Sequence, residues 1–330
     1  MAGDGGADQA VTRRTIVALD SGAYSVSKLK KSKQSEAIDI DEYIEFATEN
    51  QHLLEVIFNL DVIGDGEQSH QNWEYIRRKG LERVVPVWHD GTPIKYLETY
   101  IEEADYVAIG GIADQPVQRL DRSLKRLWKN HLVDRIGFPK ARFHAFGITS
   151  HRLVAPFQWH SVDSSSWVKE SGKYAKCLIP KRKKYESNCY SYKDPPTRVS
   201  VTTRSSDRKD HIDRLPARKR LWIVEYLENR GFKLGRGDRG SDDYMRGLRN
   251  DGTLRDQLNA IFYAEMGLAL GKPVYLAGNF PALEDHEVEK QIQQAVFAIG
   301  SNYYRLISFN YEPKIQTVLD LKREELSHDR

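Results

Sequence analysis

The sequence contains little cysteine and no long apolar run. Only two of its 330 residues, Cys177 and Cys189, are cysteines, which excludes a disulfide framework and a zinc site built mainly from cysteine. No stretch approaches the about 18 consecutive apolar residues that are needed to span a bilayer. The sequence therefore predicts a protein without a membrane partner, in a reducing compartment such as the cytoplasm.

The N-terminus lacks the features of a secretory signal. Residues 1–13 are mostly small, with two acidic residues, and they provide neither a basic start nor an apolar stretch. We predict a disordered lead-in over residues 1–13 and a single large domain over residues 14–330. With 40% hydrophobic residues, the chain can bury a substantial core.

Positive charge is concentrated in one part of the chain. The net charge is only +3, yet residues 168–220 hold 16 Lys and Arg against six Asp and Glu. This segment therefore carries a charge of +10, and the remainder sums to −7. Such an asymmetry predicts a region that meets a polyanion.

Short apolar runs alternate with amphipathic helical patterns, which is typical of parallel β-α units. Eight such units predict a TIM (β/α)8 barrel, and a doubly wound open sheet is the alternative. The alternation stops after Trp167, and we predict a long basic insertion over residues 168–213, after the sixth strand. The predicted strands are Thr15–Asp20, Leu54–Val62, Arg83–Trp88, Tyr106–Gly110, Ala141–Phe146, His160–Asp163, Pro273–Ala277 and Tyr304–Phe309.

Polar or glycine-containing clusters follow the first six predicted strands. In a barrel, the carboxyl ends of the strands carry the active residues. Three of these ends supply an aspartate directly after an apolar run: Asp20, Asp61 and Asp163. Any one of them is equally well explained as a helix N-cap. Three at equivalent positions favour a shared acidic site.

Five of these strand ends resemble, in order, segments of the tRNA-guanine transglycosylase superfamily. The resemblance extends over about half of the chain, from Val17 to Trp167. It implies a TIM barrel that exchanges one nucleobase for another. The matching segments are Asp20-Ser21-Gly22-Ala23-Tyr24 (family Asp-Ser-Gly-Gly-Phe), Leu60-Asp61 (Phe-Asp), Gly110-Gly111-Ile112 (Gly-Gly-Leu), Ala145-Phe146-Gly147 (Leu-Met-Gly) and Val162-Asp163-Ser164 (Phe-Asp-Cys).

The resemblance also implies a role for each acidic residue. Asp163 would be the nucleophile that attacks C1′ of a nucleoside, and its charge would stabilise the oxocarbenium-like transition state. Asp20 would move protons to and from the bases. Asp61 would accept hydrogen bonds from the base. His89 stands where the family often has a base-contacting Gln. Neither a cofactor nor a metal is implied.

Other residues of these segments would form the base pocket. Gly110, Gly111, Ile112 and Gly147 would line it, and Ser21 would contact the substrate. Tyr24 and Phe146 would sandwich the base, since a stacked base contributes about 1–3 kcal/mol. For His144 and His160 we expect structural roles next to the pocket.

The departures from the family pattern bear on which nucleic acid is the substrate. The family's Cys-x-Cys-x-x-Cys…His zinc site is absent, Ser164-Ser165-Ser166-Trp167 replaces its Pro-Thr-Arg stretch, and no additional RNA-binding domain is visible. Phage proteins of the superfamily that insert 7-deazaguanines into DNA are the better match. The expected partners are DNA and a free 7-deazaguanine base such as preQ0, in the host cytoplasm if the protein is phage-encoded, and a homodimer is possible.

Three alternatives to this function stay open: a zinc-free tRNA-guanine transglycosylase, a non-catalytic nucleic-acid-binding subunit, and a nucleosidase that uses water.

The basic segment supplies the expected nucleic-acid contacts. Cations interleaved with aromatic residues suit single-stranded or distorted nucleic acid, from which a flipped base can enter a pocket. The alternative is a solvated basic loop. The residues concerned are Lys181, Arg182, Lys183, Lys184, Tyr185, Tyr190 and Tyr192.

Overall fold

The structure of this protein is a computed structural model. It describes residues 13–24, 38–112, 115–148, 150–183, 189–203, 208–278, 286–309 and 312–328. Of the predicted lead-in, only Arg13 is among the described residues, so its disorder stays a prediction.

Twelve strands occur in the described ranges, and eight of them form one parallel sheet. The strands are β1 Thr15–Asp20, β2 Val56–Ile57, β3 Val87–His89, β4 Tyr106–Gly110, β5 Arg142–Ala145, β6 Ser161–Ser164, β7 Lys176–Ile179, β8 Lys181–Arg182, β9 Tyr190–Ser191, β10 Thr197–Ser200, β11 Val274–Ala277 and β12 Tyr303–Ser308.

Helices connect the strands of the large sheet. None of the helices in the described ranges is long and apolar enough to cross a membrane. The α-helices are α1 Ile40–Asn50, α2 Gly66–Arg78, α3 Ile94–Glu103, α4 Val117–Leu127, α5 His151–Val154, α6 Ser166–Gly172, α7 Ala217–Glu228, α8 Gly252–Leu270, α9 His286–Ala298 and α10 Glu312–His328.

The sheet is curled, and its order is β2-β1-β12-β11-β6-β5-β4-β3. Numbered among these eight strands only, the neighbours are 2-1-8-7-6-5-4-3, a cyclic order that differs from that of a doubly wound sheet. A parallel bridge joins Phe58, next to β2, to Val85, just before β3. The Asn59 amide also donates to the Val85 carbonyl (2.8 Å). This α/β fold is compatible with a TIM-type barrel.

Buried side chains fill both faces of the sheet. Residues of the strands or directly beside them, such as Ala18, Phe58 and Tyr106, form a compact cluster on the concave, inner face. Their neighbours, such as Val17 and Leu19, pack outward against the helices. This alternation follows from the two-residue repeat of a strand.

The chain between β6 and β11 forms a second packed region. β7 pairs with β10 and β8 with β9, both antiparallel. Cys177 and Ile223 belong to a separate apolar cluster there, to which α8 contributes Leu258. The described part of the predicted insertion is therefore folded and has its own core. Its status as an insertion stays a prediction.

A buried lysine fastens the last helix to the first strand. Lys322 of α10 is 2% exposed, and its Nζ lies 2.7 Å from Oε1 of Glu55. The same ammonium donates to the carbonyl of Thr15. Glu325, one turn further, accepts from the Thr15 amide (2.9 Å). The start of the sheet is thus held by residues from the end of the chain.

We predict that Lys322→Ala lowers the free energy of unfolding by about 3–5 kcal/mol, because it leaves the Glu55 carboxylate without its buried partner. Urea denaturation measures the change. Lys290→Ala, which removes a surface pair with Glu324, is the matched control and should change stability by at most about 1 kcal/mol. Equal effects for the two variants would contradict a structural role for Lys322.

Candidate active site

Residues of five strands, four of them polar, lie on the inner face at the carboxyl end of the sheet. Ala18 belongs to the inner cluster, so Asp20, two residues further along β1, faces the same side. Val162 packs outward, so Asp163 faces inward. On β3, β4 and β5, the same two-residue alternation identifies the residues that face inward. The inner residues at this end are Asp20, His89, Gly110, His144 and Asp163.

Asp20 lies near enough to Asp61 and Asp163 for their charges to act on it. Burial, and next the negative charges of Asp61 and Asp163, raise the pKa of Asp20 from 3.8 to about 7. Hydrogen bonds from the Gly22 amide and the Ser308 hydroxyl (3.3 Å) offset only part of this rise. Although part of the Asp20 surface stays accessible, surrounding atoms enclose most of it. Near neutral pH, Asp20 can therefore exist in both protonation states.

Asp61 is held from two sides. Its Oδ1 accepts from the Ser21 hydroxyl (2.9 Å), and its Oδ2 lies 2.8 Å from Nε2 of His89. A carboxylate can only accept, so His89 carries the proton on Nε2 in this contact. The Ser21 oxygen also accepts from the Ala23 amide (3.1 Å). Asp61 is 9% exposed, and its orientation is fixed by the ends of β1 and β3.

Gly110, the last residue of β4, and Gly111 directly after it make room for His89. A Cβ atom on Gly110 would lie 2.5 Å from Cδ2 of His89. Gly111 has φ +71°, and a Cβ there would lie 3.1 Å from the Asp90 amide nitrogen. Ile112 is 1% exposed and belongs to the main core. The Gly-Gly segment thus supports the His89–Asp61 pair, a contact that the sequence did not predict.

Asp163 accepts a hydrogen bond from the loop after β5. The Gly147 amide donates to its Oδ1 (2.5 Å), with Gly147 at φ +66°. Phe146 packs against Phe58 and His144, with ring centroids 4.8 and 4.7 Å apart. The predicted pocket residues Phe146 and Gly147 therefore lie beside the predicted nucleophile.

Tyr24 differs from the other predicted pocket residues because its side chain is 42% exposed. It lies at the end of a described range, since residues 25–37 are not described. Its predicted stacking on a base stays a prediction.

Of the predicted nucleic-acid contacts, Lys181, Arg182 and Lys183 are exposed on one edge of the second packed region. The guanidinium of Arg182 lies 3.7 Å from Glu225 on α7. Lys184 and Tyr185 lie outside the described residues.

The two described tyrosines of this segment have partners within the protein. Tyr190 packs edge-on against Tyr226 (centroids 4.9 Å apart). Tyr192 donates its hydroxyl to Glu265, and its ring contacts Phe262. This packing anchors the segment, and the side chains of Lys181, Arg182 and Lys183 remain on its surface.

Ser308 was missed from the sequence, and His144 was expected beside the pocket without a named partner. Ser308, at the end of β12, is bonded to Asp20, and it obeys the same rule of a polar residue at a strand end. His144 lies 3.6 Å from Asp163, through Nε2 and Oδ1. We expected only a structural role for it beside the pocket, because its strand neighbours across the sheet cannot be identified from sequence.

Three surface clefts of the described chain open at the opposite end of the sheet. One of them is lined by residues before β5 and β6, including Lys140 and Gln158. The other two lie near the amino ends of β11 and β12 and of β2 and β3. They are therefore separate from the carboxylate site.

No group of three or more His, Cys, Asp or Glu within the described ranges is placed to hold a metal ion. Comparisons with protein-family models, with curated proteins and with solved structures return no match to this chain. The chemistry of the site must therefore be argued from its own residues.

We predict that Asp20 makes stability depend on pH. Its pKa is about 7 in the folded protein and near 3.8 when unfolded, so the folded state binds more protons between these values. The free energy of unfolding should then fall as pH rises from about 4 to about 7 and become level above that. Asp20→Asn should remove this component, so the variant gains stability relative to wild type over the same range.

Urea denaturation at a series of pH values tests this prediction. Asp242→Asn, at an exposed carboxyl, controls for the loss of one charge. A difference between Asp20→Asn and wild type that stays constant from about pH 4 to about pH 7 would show that Asp20 titrates normally.

Proposed function

We propose that this protein is a transglycosylase that exchanges guanine in DNA for a 7-deazaguanine base through a covalent aspartyl-glycosyl intermediate. The observation that carries the proposal is the meeting of Asp20, Asp61 and Asp163, with the pKa of Asp20 raised to about 7. Base exchange needs a nucleophile, a proton carrier and a base-binding acceptor. These three carboxyls, in different environments, match those needs.

We further infer that the sheet closes into a (β/α)8 barrel. The bridge between Phe58 and Val85, and the cyclic strand order, support closure. In a closed barrel the inner face at the carboxyl end forms a single bowl. All three aspartates would then line one cavity rather than an open edge.

In the first step, an oxygen of Asp163 attacks C1′ of the target nucleoside. The bond from C1′ to guanine breaks, and its electron pair stays on the base. The protonated carboxyl of Asp20 gives its proton to the departing guanine and becomes a carboxylate. The product is an ester between Asp163 and the abasic sugar.

In the second step, the roles are reversed. The Asp20 carboxylate takes a proton from the incoming base, whose nitrogen attacks C1′ and displaces Asp163 as a carboxylate. A pKa near neutrality suits a group that must act as acid and then as base. The site is thereby returned to its starting state.

Base recognition falls to Asp61 and its supports. Each carboxylate oxygen has a second lone pair beyond those used by Ser21 and His89, and can accept from the N–H groups of a guanine-like edge. An analogue without those donors would leave a buried carboxylate underbonded, which disfavours its binding. The fixed orientation of Asp61 supports selection of this class of base.

DNA is the proposed substrate rather than tRNA. The family resemblance favours the DNA-modifying branch. The exposed cations of β8 offer contacts to the DNA phosphate backbone, outside the large parallel sheet. The target base would leave its helix to reach the inner face, as in other enzymes that act on bases.

We predict that labelled guanine enters DNA in the presence of this protein, and that Asp163→Asn lowers incorporation to background. Asp90→Asn is the matched control, because Asp90 lies at the same end of the sheet but contacts Ser123 rather than the other aspartates (3.4 Å). It should retain most of the activity. Incorporation is measured by scintillation counting after DNA and tRNA are incubated in parallel.

The outcomes of this assay separate the alternatives. Label in tRNA alone would show that tRNA rather than DNA is the substrate. Release of guanine without incorporation would indicate a nucleosidase. No activity on either nucleic acid, or full activity in Asp163→Asn, would overturn the proposed chemistry.

We predict that neutralising Lys181, Arg182 and Lys183 to Gln weakens DNA binding and flattens its salt dependence. Each lost phosphate contact should lower the slope of log K against log salt by about 0.7–0.9, so the triple change should lower it by about 2–3. Fluorescence anisotropy at several salt concentrations measures the slope.

A second triple variant controls for net charge. Lys125, Arg126 and Lys129 are exposed at the end of α4 and the turn after it, on the outer side of the sheet. Changing them to Gln should leave the slope close to that of wild type. Equal slopes in the two triple variants would show that Lys181, Arg182 and Lys183 do not contact DNA.

A further inference from the structure

A chain of three buried polar side chains lies behind Asp163 on the inner face of the sheet. The hydroxyl of Tyr106 on β4 lies 2.5 Å from Oγ of Ser161 on β6. That oxygen lies 2.7 Å from Nδ1 of His144 on β5. The other ring nitrogen of His144, Nε2, faces Oδ1 of Asp163 at 3.6 Å. The chain therefore runs across three strands and ends on the proposed nucleophile.

The burial of these residues fixes their positions. His144 is 0% exposed and Ser161 is 1% exposed. The His144 ring is packed by Phe58, Phe146 and Tyr275, with centroids 4.9, 4.7 and 5.9 Å away. With aromatic rings around it, the imidazole has little freedom to rotate, so its two nitrogens keep their partners.

The two ends of the chain determine where its protons lie. Ser161 is the only hydrogen-bond partner of the Tyr106 hydroxyl among the described residues, and burial raises the pKa of Tyr106 to about 12, so this phenol stays protonated. It donates to Ser161, which then donates to Nδ1 of His144. With Nδ1 as the acceptor, the ring carries its proton on Nε2, the nitrogen that lies 3.6 Å from Asp163.

The opposite direction of proton donation, from His144 through Ser161 to Tyr106, is unfavourable at both ends of the chain of side chains. If His144 donated from Nδ1, Ser161 would donate to Tyr106, and the phenol proton would have no acceptor. The bare Nε2 lone pair would also face the negatively charged oxygen of Asp163. Nε2 has no hydrogen-bond partner within the described part of the chain, and Oδ1 of Asp163 lies 3.6 Å from it.

We propose that Tyr106, Ser161 and His144 are positioning residues that act through Asp163. The Gly147 amide donates to Oδ1, and Nε2 of His144 lies 3.6 Å from the same oxygen, which leaves Oδ2 as the oxygen that bonds to C1′. Only the effect on base exchange depends on the proposed function; the proton order in the chain does not. A proton on Nε2 places positive partial charge near Asp163 and so favours the carboxylate released in the second step.

Nitrogen NMR of the full chain labelled with [15N]histidine tests the proton order directly. The sequence has ten histidines, and the His144 signals are assigned by their loss in His144→Gln. Wild type should show His144 as the Nε2–H tautomer, with Nδ1 unprotonated. Ser161→Ala removes the donor to Nδ1 and should populate the Nδ1–H tautomer. An Nδ1–H tautomer in wild type, or no change in Ser161→Ala, would overturn the proposed chain.

Exchange rates test the effect on the nucleophile. Ser161→Ala and Tyr106→Phe should each lower the exchange rate by about 10–100-fold, the range typical of groups that orient a reacting ligand. The KM for the free base should stay within about twofold. Ser161→Thr, which keeps the hydroxyl, should restore most of the rate. Wild-type rates in both Ser161→Ala and Tyr106→Phe would show that the chain does not position Asp163.

The two measurements separate the proposals. If wild-type protein exchanges no base, the proposed function fails, while the tautomer of His144 still decides whether the proton order is as inferred. Circular dichroism of each variant verifies that it is folded, and Tyr106→Phe removes a single oxygen, so loss of folding cannot account for both results.

Discussion

The constraint on which this structure depends is the gathering of three carboxyl groups in one partly enclosed place. Like charges at short range disfavour full ionisation, and burial increases that cost. The surroundings of the three carboxyl groups differ. The pKa of Asp20 is raised to about 7. Asp61 accepts a hydrogen bond from Ser21 and lies 2.8 Å from Nε2 of His89, and Asp163 accepts a hydrogen bond from the Gly147 amide. Three chemically equal side chains thereby acquire three different properties.

Much of the surrounding architecture follows from these supports. His89 can reach Asp61 only because Gly110 has no side chain, since a Cβ there would lie 2.5 Å from the imidazole. The two-residue repeat of each strand brings the partners to one face, and the parallel order brings them to one end. The distant ends of the chain are joined by Lys322, which holds β1 and hence Asp20 in register.

The sequence was informative where its signals are local. β1 and β4 have the bounds that were predicted, and the eight strands of the parallel sheet were all expected from short apolar runs. The predicted Leu54–Val62 strand is only Val56–Ile57, because the chain beyond it leaves the ladder after the Phe58 bridge to shape the Asp61 turn. Polar strand ends identified Asp20, Asp61 and Asp163 together.

The pairings inside the site were not predictable in the same way. The contacts of His89 with Asp61, and of His144 with Ser161 and Asp163, join residues on different strands. Their existence depends on sheet order and register, which a single sequence does not specify. The basic segment was expected as a polar excursion, yet its described residues form paired strands over an apolar cluster. Alternation there is short and interrupted, so its pairing is fixed only by tertiary contacts.

The most direct test of the account is the identity of the residue that becomes attached to the sugar. A pool of guanine-containing DNA oligonucleotides is incubated with the protein, the reaction is stopped with denaturant, and the digested protein is analysed by mass spectrometry. We expect an abasic nucleotide linked to the peptide that contains Asp163, and no such adduct in Asp163→Asn. An adduct on any other residue, or base exchange that proceeds without an adduct, would contradict it.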